Sequence, residues 1–401
     1  MLEQVIAGYW HERWGVPMNN FRYTSYAQEI IFGPGALDQL DQALQRYPWR
    51  RMMLCSTQAL RRNGSIVALE KVLGERLVAS YEGVQPHVLD FQVAEASVLA
   101  NENEIDAVIG FGGGSSIGLA KALSLSVEGR RTRLPARAAF PTDQPLVPVI
   151  AIPTTYAGSE MTPTCGITHH VDGSARKVTM TDAKITPKLT VYDPLLTLNL
   201  SPVLTASTGV NALAHCIEAL YSITRNPLST AAATSGVRAI MHALPRCYAD
   251  GSNVEARTEM LTGAFLGGSA LSQVAMALHH GLCHVLGGTA GVPHGIANGI
   301  ILPHAMRYNL EATASHLLPA VGAMDIDVTG SSPTAAVEAA IQRIDAMIDQ
   351  MHLPRRLRDV GVPENDLPHL AQVGMQSRAI HNNPRPITSA AQLEAILRAA
   401  W

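Results

Sequence analysis

Short β-branched runs alternate with helix-like stretches only as far as about residue 195, and beyond that point the chain reads as helix alone. This change of grain constrains the fold more than any single residue does. Candidate strands are Glu29–Phe32, Arg51–Cys55, Asp106–Phe111, Leu146–Ile152 and Leu189–Tyr192, with helical patterns such as Ala36–Gln45 and Ser115–Ser126 between them. Strand, helix, strand at this spacing predicts a parallel sheet covered on both faces. From Ser201 onward Ala, Leu and Met recur at three- and four-residue spacing, and Ser201-Pro202 reads as an N-cap followed by proline at the first helical position. The expectation is an α/β N-terminal domain over residues 18–197 and an all-α C-terminal domain over 198–401, with residues 1–17 as an extension. Ligands are expected in a cleft between the two domains.

The bulk numbers agree. At 401 residues the chain is long for one hydrophobic core, and 47% apolar against 16% charged residues suits large folded interiors. A net charge of −3 gives nucleic acid no electrostatic hold. Arg130, Arg131, Arg133 and Arg137 cluster locally, but in a proline-containing stretch that reads as a solvated connection. Cys55, Cys165, Cys216, Cys247 and Cys283 form no CxxC pair, so neither a disulfide framework nor a zinc ribbon is expected, and a reducing cytoplasm fits. Met1–Pro17 lacks the apolar core of a secretory signal, and Thr262–Leu278 is too short and too interrupted to span a bilayer. It reads as one buried helix.

The apolar run Ile105–Phe111 passes directly into Gly112-Gly113-Gly114-Ser115-Ser116 and then into a helical segment. Glycines let a backbone approach a ligand closely, and the helix start offers free N–H groups and a positive dipole end. These features suit a pyrophosphate, although an ordinary strand-to-helix turn also fits, and the spacing is not GxGxxG. A second loop, Pro153-Thr154-Thr155-Tyr156-Ala157-Gly158-Ser159-Glu160, follows another apolar strand. Taken together the two loops predict a dinucleotide-binding domain, with Gly112, Gly113, Gly114, Ser115, Thr154, Thr155 and Ser159 on the coenzyme. Beyond the first long strand, Ser56-Thr57-Gln58 occupies the position where an acidic residue would select NAD, and Arg61 and Arg62 follow. Thr57 joins the candidates, and NADH, NADPH or both remain open.

Asn211 and His215 are four residues apart in a helical context, as are His280 and His284, and His294 follows a glycine-rich loop. A single histidine on such a helix is usually a satisfied core residue. Four polar groups at helical spacing in apolar surroundings point to a site that could hold a divalent cation through three imidazoles and an amide. The amide of Asn211 is the poorer ligand, because it brings no charge.

These pieces in this order resemble the iron-type alcohol dehydrogenase family. The matching stretches are Gly112–Ser115, Pro153–Glu160, Thr208-Gly209-Val210-Asn211-Ala212-Leu213-Ala214-His215, His280-Gly281-Leu282-Cys283-His284, Pro293-His294-Gly295 and Leu302-Pro303-His304. The resemblance implies the dehydroquinate synthase-like fold of that family. Metal-binding members carry Asp where Asn211 stands, so Asn211, His215, His280 and His294 would be the ligands if an ion binds. The Asp-to-Asn change, the Tyr156–Pro163 stretch, His279-His280 and Asn383-Pro384-Arg385-Pro386-Ile387-Thr388 look like the maleylacetate reductase branch. After His294, however, Gly295-Ile296-Ala297-Asn298 is nearer the alcohol dehydrogenases.

What the resemblance implies is a metal-free, NADH- or NADPH-dependent reduction of the C=C bond of maleylacetate to 3-oxoadipate, in aromatic-compound breakdown. Imidazoles would then hold the developing enolate charge, with His215, His280, His284 and His294 lining the pocket and one returning the proton. Asn211 would touch the substrate. Lys177, since the family has a lysine near this position, and then Arg176 and Arg307 would pair with its carboxylates. Relatives are commonly dimers, so a cytoplasmic homodimer acting on a small molecule, with no nucleic-acid or membrane partner, is expected. The rivals are a metal-dependent alcohol dehydrogenase, a lyase or cyclase on the same scaffold, and a non-catalytic binding protein.

Overall fold

The computed structural model describes residues 21, 23–132, 145–171, 174–327 and 329–401, with side chains at all of these except 132 and 170–177. The extension at residues 1–17, together with Arg133 and Arg137, lies outside the described residues. The chain divides into two compact units, one of Ser25–Ser201 with Asp250–Leu261, the other holding Pro202–Ala249 and Thr262–Trp401.

The first unit is built on a six-stranded sheet of β1 (Glu29–Phe32), β2 (Met52–Cys55), β3 (Leu77–Tyr81), β4 (Ala107–Gly112), β5 (Val149–Pro153) and β8 (Leu189–Tyr192). Their order is β1-β8-β5-β4-β2-β3 and every pairing is parallel. β2, β4, β5 and β8 are buried along their whole length, as strands must be when both faces of a sheet are covered. Alternate residues feed opposite cores. Met53, Cys55, Val108 and Val149 pack with Leu119 and Leu123 of the helix Gly114–Thr132, whereas Met52, Leu54, Ile109, Phe111, Ile150 and Val191 pack with Leu40, Leu44, Ile66 and Leu69 on the other side.

The five expected strands are present, with ends shifted by up to three residues. β3 was not anticipated. It is a half-buried edge strand, so neither a continuous apolar run nor a strict alternation marks it. The antiparallel hairpin β6 (Thr164–Val171) and β7 (Ser174–Thr181) was likewise unmarked. From β2 the chain moves outward to β3, returns to β4 on the other side of β2, and then proceeds outward through β5 and β8. The direction therefore reverses between β2 and β4, and the carboxyl ends of those strands frame the crevice where open α/β sheets take ligands.

The second unit is helical, with no strand among its described residues. Its central helix, Pro202–Tyr221, starts at the expected proline and is buried almost throughout from Thr205. Around it lie Pro227–Ala249, Leu278–Thr289, His294–Ala323 and Pro333–Gln350. The stretch read as a single helix over Thr262–Leu278 is corrected: the helix is Val254–Leu271, a non-helical link follows, and a new helix begins at Leu278. The turn after the central helix satisfies the link's backbone, since Ser222 Oγ donates to the Ala275 carbonyl and the Ala275 N–H donates to Thr224 Oγ1. The segment Asp250–Leu261 goes with the α/β unit rather than with the continuous helical domain expected over 198–401. Arg257, fully buried, explains why: its Nη1 donates to the Tyr156 hydroxyl at 3.0 Å, and Tyr156 is itself buried in the second polar loop. No helix among the described residues is long and apolar enough to cross a membrane.

Candidate active site

In the α/β unit, chain geometry at the end of β4 demands glycine. Gly112 has φ +140°, and a Cβ there would fall 2.7 Å from Ser116 Oγ. A Cβ on Gly110 would fall 2.7 Å from the Ile117 backbone, so Gly110 lets the helix Gly114–Thr132 pack tightly onto the strand. The two polar loops meet here: Thr154 N–H donates to the Gly112 carbonyl at 3.0 Å, and a Cβ on Gly113 would lie 3.2 Å from Thr155.

The second loop is held from below by Lys121, which is fully buried on that helix. Its ammonium donates to the carbonyls of Ser159, Thr162 (2.6 Å) and Thr164 (3.1 Å) and to the Thr162 hydroxyl (3.2 Å). Burial pulls this lysine down to about 8, with Cys165 and Glu160 acting in the opposite direction. Glu160 is also buried; desolvation raises its carboxyl above the usual range, and Tyr192 donates to it at 2.9 Å. Three hydroxyls around the loops, Ser116 Oγ, Thr155 Oγ1 and Ser159 Oγ, are buried with no hydrogen-bond partner. Unmade hydrogen bonds on buried groups cost about 1–3 kcal/mol each, and these three lie beside a glycine turn and a helix N-terminus.

Sequence reasoning named Thr155 and Ser159 but missed Ser116 and Lys121. Lys121 sits seven residues into the helix from Gly114, on an otherwise apolar stretch, and a lone lysine there was the available signal. Thr57 caps the helix Gln58–Arg62 in position, though not by a side-chain hydrogen bond.

In the helical unit the histidines do assemble. His215 from the central helix stacks on His280 with ring centroids 4.7 Å apart and planes 18° from parallel. His284 and His294 lie 6.4 and 6.1 Å from His280, and 5.6 Å from each other. Asn211, His215 and His280 are buried, His284 and His294 half-buried. The helix carrying His280 approaches Ile380 so closely that a Cβ on Gly281 would fall 2.4 Å from its side chain.

One residue missed from sequence organises this cluster. Glu218 lies one turn beyond His215, fully buried. It accepts from His280 Nδ1 at 2.7 Å, from the backbone N–H groups of His279 and His280, and from the Tyr221 hydroxyl. Burial alone would raise its carboxyl; His280, His279 and the backbone outweigh this and hold it below the usual range.

The ring protons then follow by elimination. His279 Nε2 lies 3.1 Å from the Asn298 carbonyl, which can only accept, so that nitrogen carries hydrogen. Burial, with His280 beside it, pulls His279 down to about 4, so its Nδ1 is bare. His280 Nδ1, 3.2 Å from that bare nitrogen and 2.7 Å from a carboxylate, must therefore be the donor. His280 Nε2 is left buried with no partner, as is His215 Nδ1. Burial first, then the neighbouring imidazoles, keep His215 well below its usual value.

Of the three expected substrate cations, one is placed elsewhere. Arg307 is on the helix His294–Ala323, thirteen residues beyond His294 and so about 20 Å along its axis. It pairs with Glu338 at 3.1 Å and is not brought to the histidines. Arg176 and Lys177 are on β7, opposite His169 and Thr168 of β6, and their side chains lie outside those described.

Comparison with known proteins defines the class. The family model "Iron-containing alcohol dehydrogenase" matches residues 27–194, and "Fe-containing alcohol dehydrogenase family, C-terminal" matches residues 205–401. The chain belongs to the iron-containing alcohol dehydrogenase family and is a nicotinamide-dependent oxidoreductase. Within that family it is 37% identical to a maleylacetate reductase of Pseudomonas knackmussii, over 95% of this chain and 98% of the relative. Among solved structures it matches a maleylacetate reductase from Agrobacterium tumefaciens (31% identity, 96% and 99% of the two chains, TM-score 0.79). It also matches a 1,3-propanediol oxidoreductase (29%, 96% and 100%, TM-score 0.88).

The family's name implies an iron, whose ligands here would be Asn211, His215, His280 and His294; His215 Nδ1 and His280 Nε2 are buried without partners, as open ligand positions would be. Asn211, His215, His280 and His294 offer four neutral donors, whereas Glu218, the carboxylate at hand, is engaged by His280 and by two backbone N–H groups. Glu218, His279 and His280 also bring ligand-type atoms within 4.8 Å of one another. The hydrogen bonds just described already join those atoms.

Proposed function

We propose that this chain is a maleylacetate reductase that works without a metal ion. The identity to maleylacetate reductases over nearly the whole chain supports the substrate. The observation that carries the mechanism is the replacement of a charged ligand by Asn211 beside a histidine braced by Glu218. A hydrogen-bond donor stands where a Lewis acid would be needed.

In this reading the reduced coenzyme lies with its pyrophosphate at Gly112–Ser116 and its ribose and nicotinamide against the orphan hydroxyls of Thr155 and Ser159. Hydride leaves C4 of the nicotinamide for the alkene carbon distal to the ketone. The alkene electrons shift toward the ketone oxygen, and the enolate so formed takes a proton on its other alkene carbon. His280, its Nδ1–H held by the Glu218 carboxylate, takes a proton from solvent at the unpartnered Nε2 and delivers it to that carbon. His215, His284, His294 and Asn211 line the pocket and hold the enolate oxygen. Lys177 and Arg176 pair with the substrate carboxylates. Arg307, held by Glu338, does not. A cytoplasmic homodimer acting in aromatic-compound breakdown completes the proposal; no disulfide joins any two of the five buried cysteines, which suits a reducing compartment.

The test is maleylacetate-dependent oxidation of NADH and NADPH by purified protein, with and without EDTA. Turnover indifferent to chelator is expected. Activity that vanishes with EDTA and returns with iron or zinc would instead identify a metal-dependent alcohol dehydrogenase.

A further inference from the structure

The carboxyl ends of β2 and β3 carry an ion cluster for which the reaction provides no task. Ser56 and Glu82 follow those strands, and the segments run side by side: Ser56 N–H donates to the Tyr81 carbonyl, Val84 N–H to the Ser56 carbonyl, and Thr57 bridges Gly83. The helix Gln58–Arg62 starts there, and Leu60 packs within 3.4 Å of where a Gly112 Cβ would stand. Arg61 therefore follows a residue that touches the glycine turn. Its guanidinium is gripped by two carboxylates. Nε donates to Glu82 at 2.9 Å, and Nη1 and Nη2 donate to Glu70 at 2.9 and 2.6 Å; Nη2 also meets the second Glu82 oxygen. Arg61 holds the Glu82 carboxyl below its ordinary range, so the cluster is one cation against two anions.

In open α/β sheets the adenosine ribose lies off the end of the strand beside the glycine turn, here β2. A coenzyme with a 2′-phosphate would bring roughly two further negative charges to a cluster that is already net anionic and whose arginine is occupied. A ribose with a free 2′-hydroxyl would instead find a carboxylate able to accept from it. We propose that Arg61, Glu70 and Glu82 form a coenzyme selector that excludes the 2′-phosphate, so that the enzyme takes NADH in preference to NADPH. This rests on placing the coenzyme at the glycine turn, and it answers the question that Arg61 left open in the sequence.

The experiment is a binding titration of the full-length protein with NADH and with NADPH, followed by nicotinamide fluorescence. No substrate is needed, so a wrong substrate assignment leaves the result readable. NADH is expected to bind at least about tenfold more tightly. Glu70→Gln/Glu82→Gln, which frees Arg61 while keeping hydrogen-bonding side chains, should shift the NADPH-to-NADH affinity ratio toward NADPH by about 10- to 100-fold. Arg61→Ala, which leaves two unpaired carboxylates, should shift the same ratio the other way. Equal wild-type affinities, or a ratio unmoved in the double variant, would overturn the proposal. Binding of neither coenzyme would overturn the coenzyme site itself, a distinct result.

Discussion

The glycine turn and the histidine cluster solve different problems. At the glycine turn the protein supplies backbone, hydroxyls and one buried lysine, and three hydroxyls remain without partners. In the cluster one carboxylate takes hydrogen bonds from two successive residues and a tyrosine, while His215 Nδ1 and His280 Nε2 stay buried without partners. Both sites are left incomplete where a ligand would come; the cluster is in addition tied down on the far side of the ring nitrogen it presents. The difference suggests that changes at the turn should act on coenzyme affinity, and changes in the cluster on turnover.

His280→Ala is the sharpest way to break that division. It should lower kcat by about 10²–10⁴ with coenzyme affinity nearly intact, measured by steady-state kinetics beside a coenzyme titration. A large loss of affinity instead would erase the contrast. Glu218→Gln should cost less, about 10- to 100-fold in kcat, because His280 remains but its Nδ1 partner loses charge; kinetics with an unchanged circular dichroism spectrum would check it. On the other side, Lys121→Met removes the buried ammonium shared by three backbone carbonyls and a hydroxyl, and should destabilise the protein by about 2–4 kcal/mol and raise the coenzyme KM, read from urea unfolding and kinetics.

The smallest expected effect concerns Glu160. Its raised carboxyl keeps a proton in the native state above 4.5, where the unfolded chain has lost it, so this group subtracts stability as pH rises from that value. Glu160→Gln retains an acceptor for Tyr192 without a charge. Denaturation midpoints at mildly acidic and neutral pH should move closer together in the variant, and an unchanged gap would contradict the assignment.

The two regions also differed in how far the sequence disclosed them. Gly112–Ser116 is contiguous and obeys a local geometric demand, so it could be read directly. The histidines could be paired by helical spacing within Asn211–His215 and within His280–His284, but their meeting is a tertiary event. Glu218 was missed because a carboxylate near a helix end reads as solvent-facing until its burial is known. Arg307 was chosen for its charge, which says nothing about reach; thirteen residues of helix separate it from His294. β3 was missed because edge strands are only half covered, and the pattern that betrays a strand depends on what covers it.

The helix Val254–Leu271 begins in one unit and ends in the other. A gene truncated after Ser201 would thus omit Arg257 and its hydrogen bond to the buried Tyr156 hydroxyl, in the loop that carries Thr155 and Ser159. Anyone hoping to express the nucleotide half alone, or to graft it onto another catalytic partner, must carry residues 250–261 along as a separate insert.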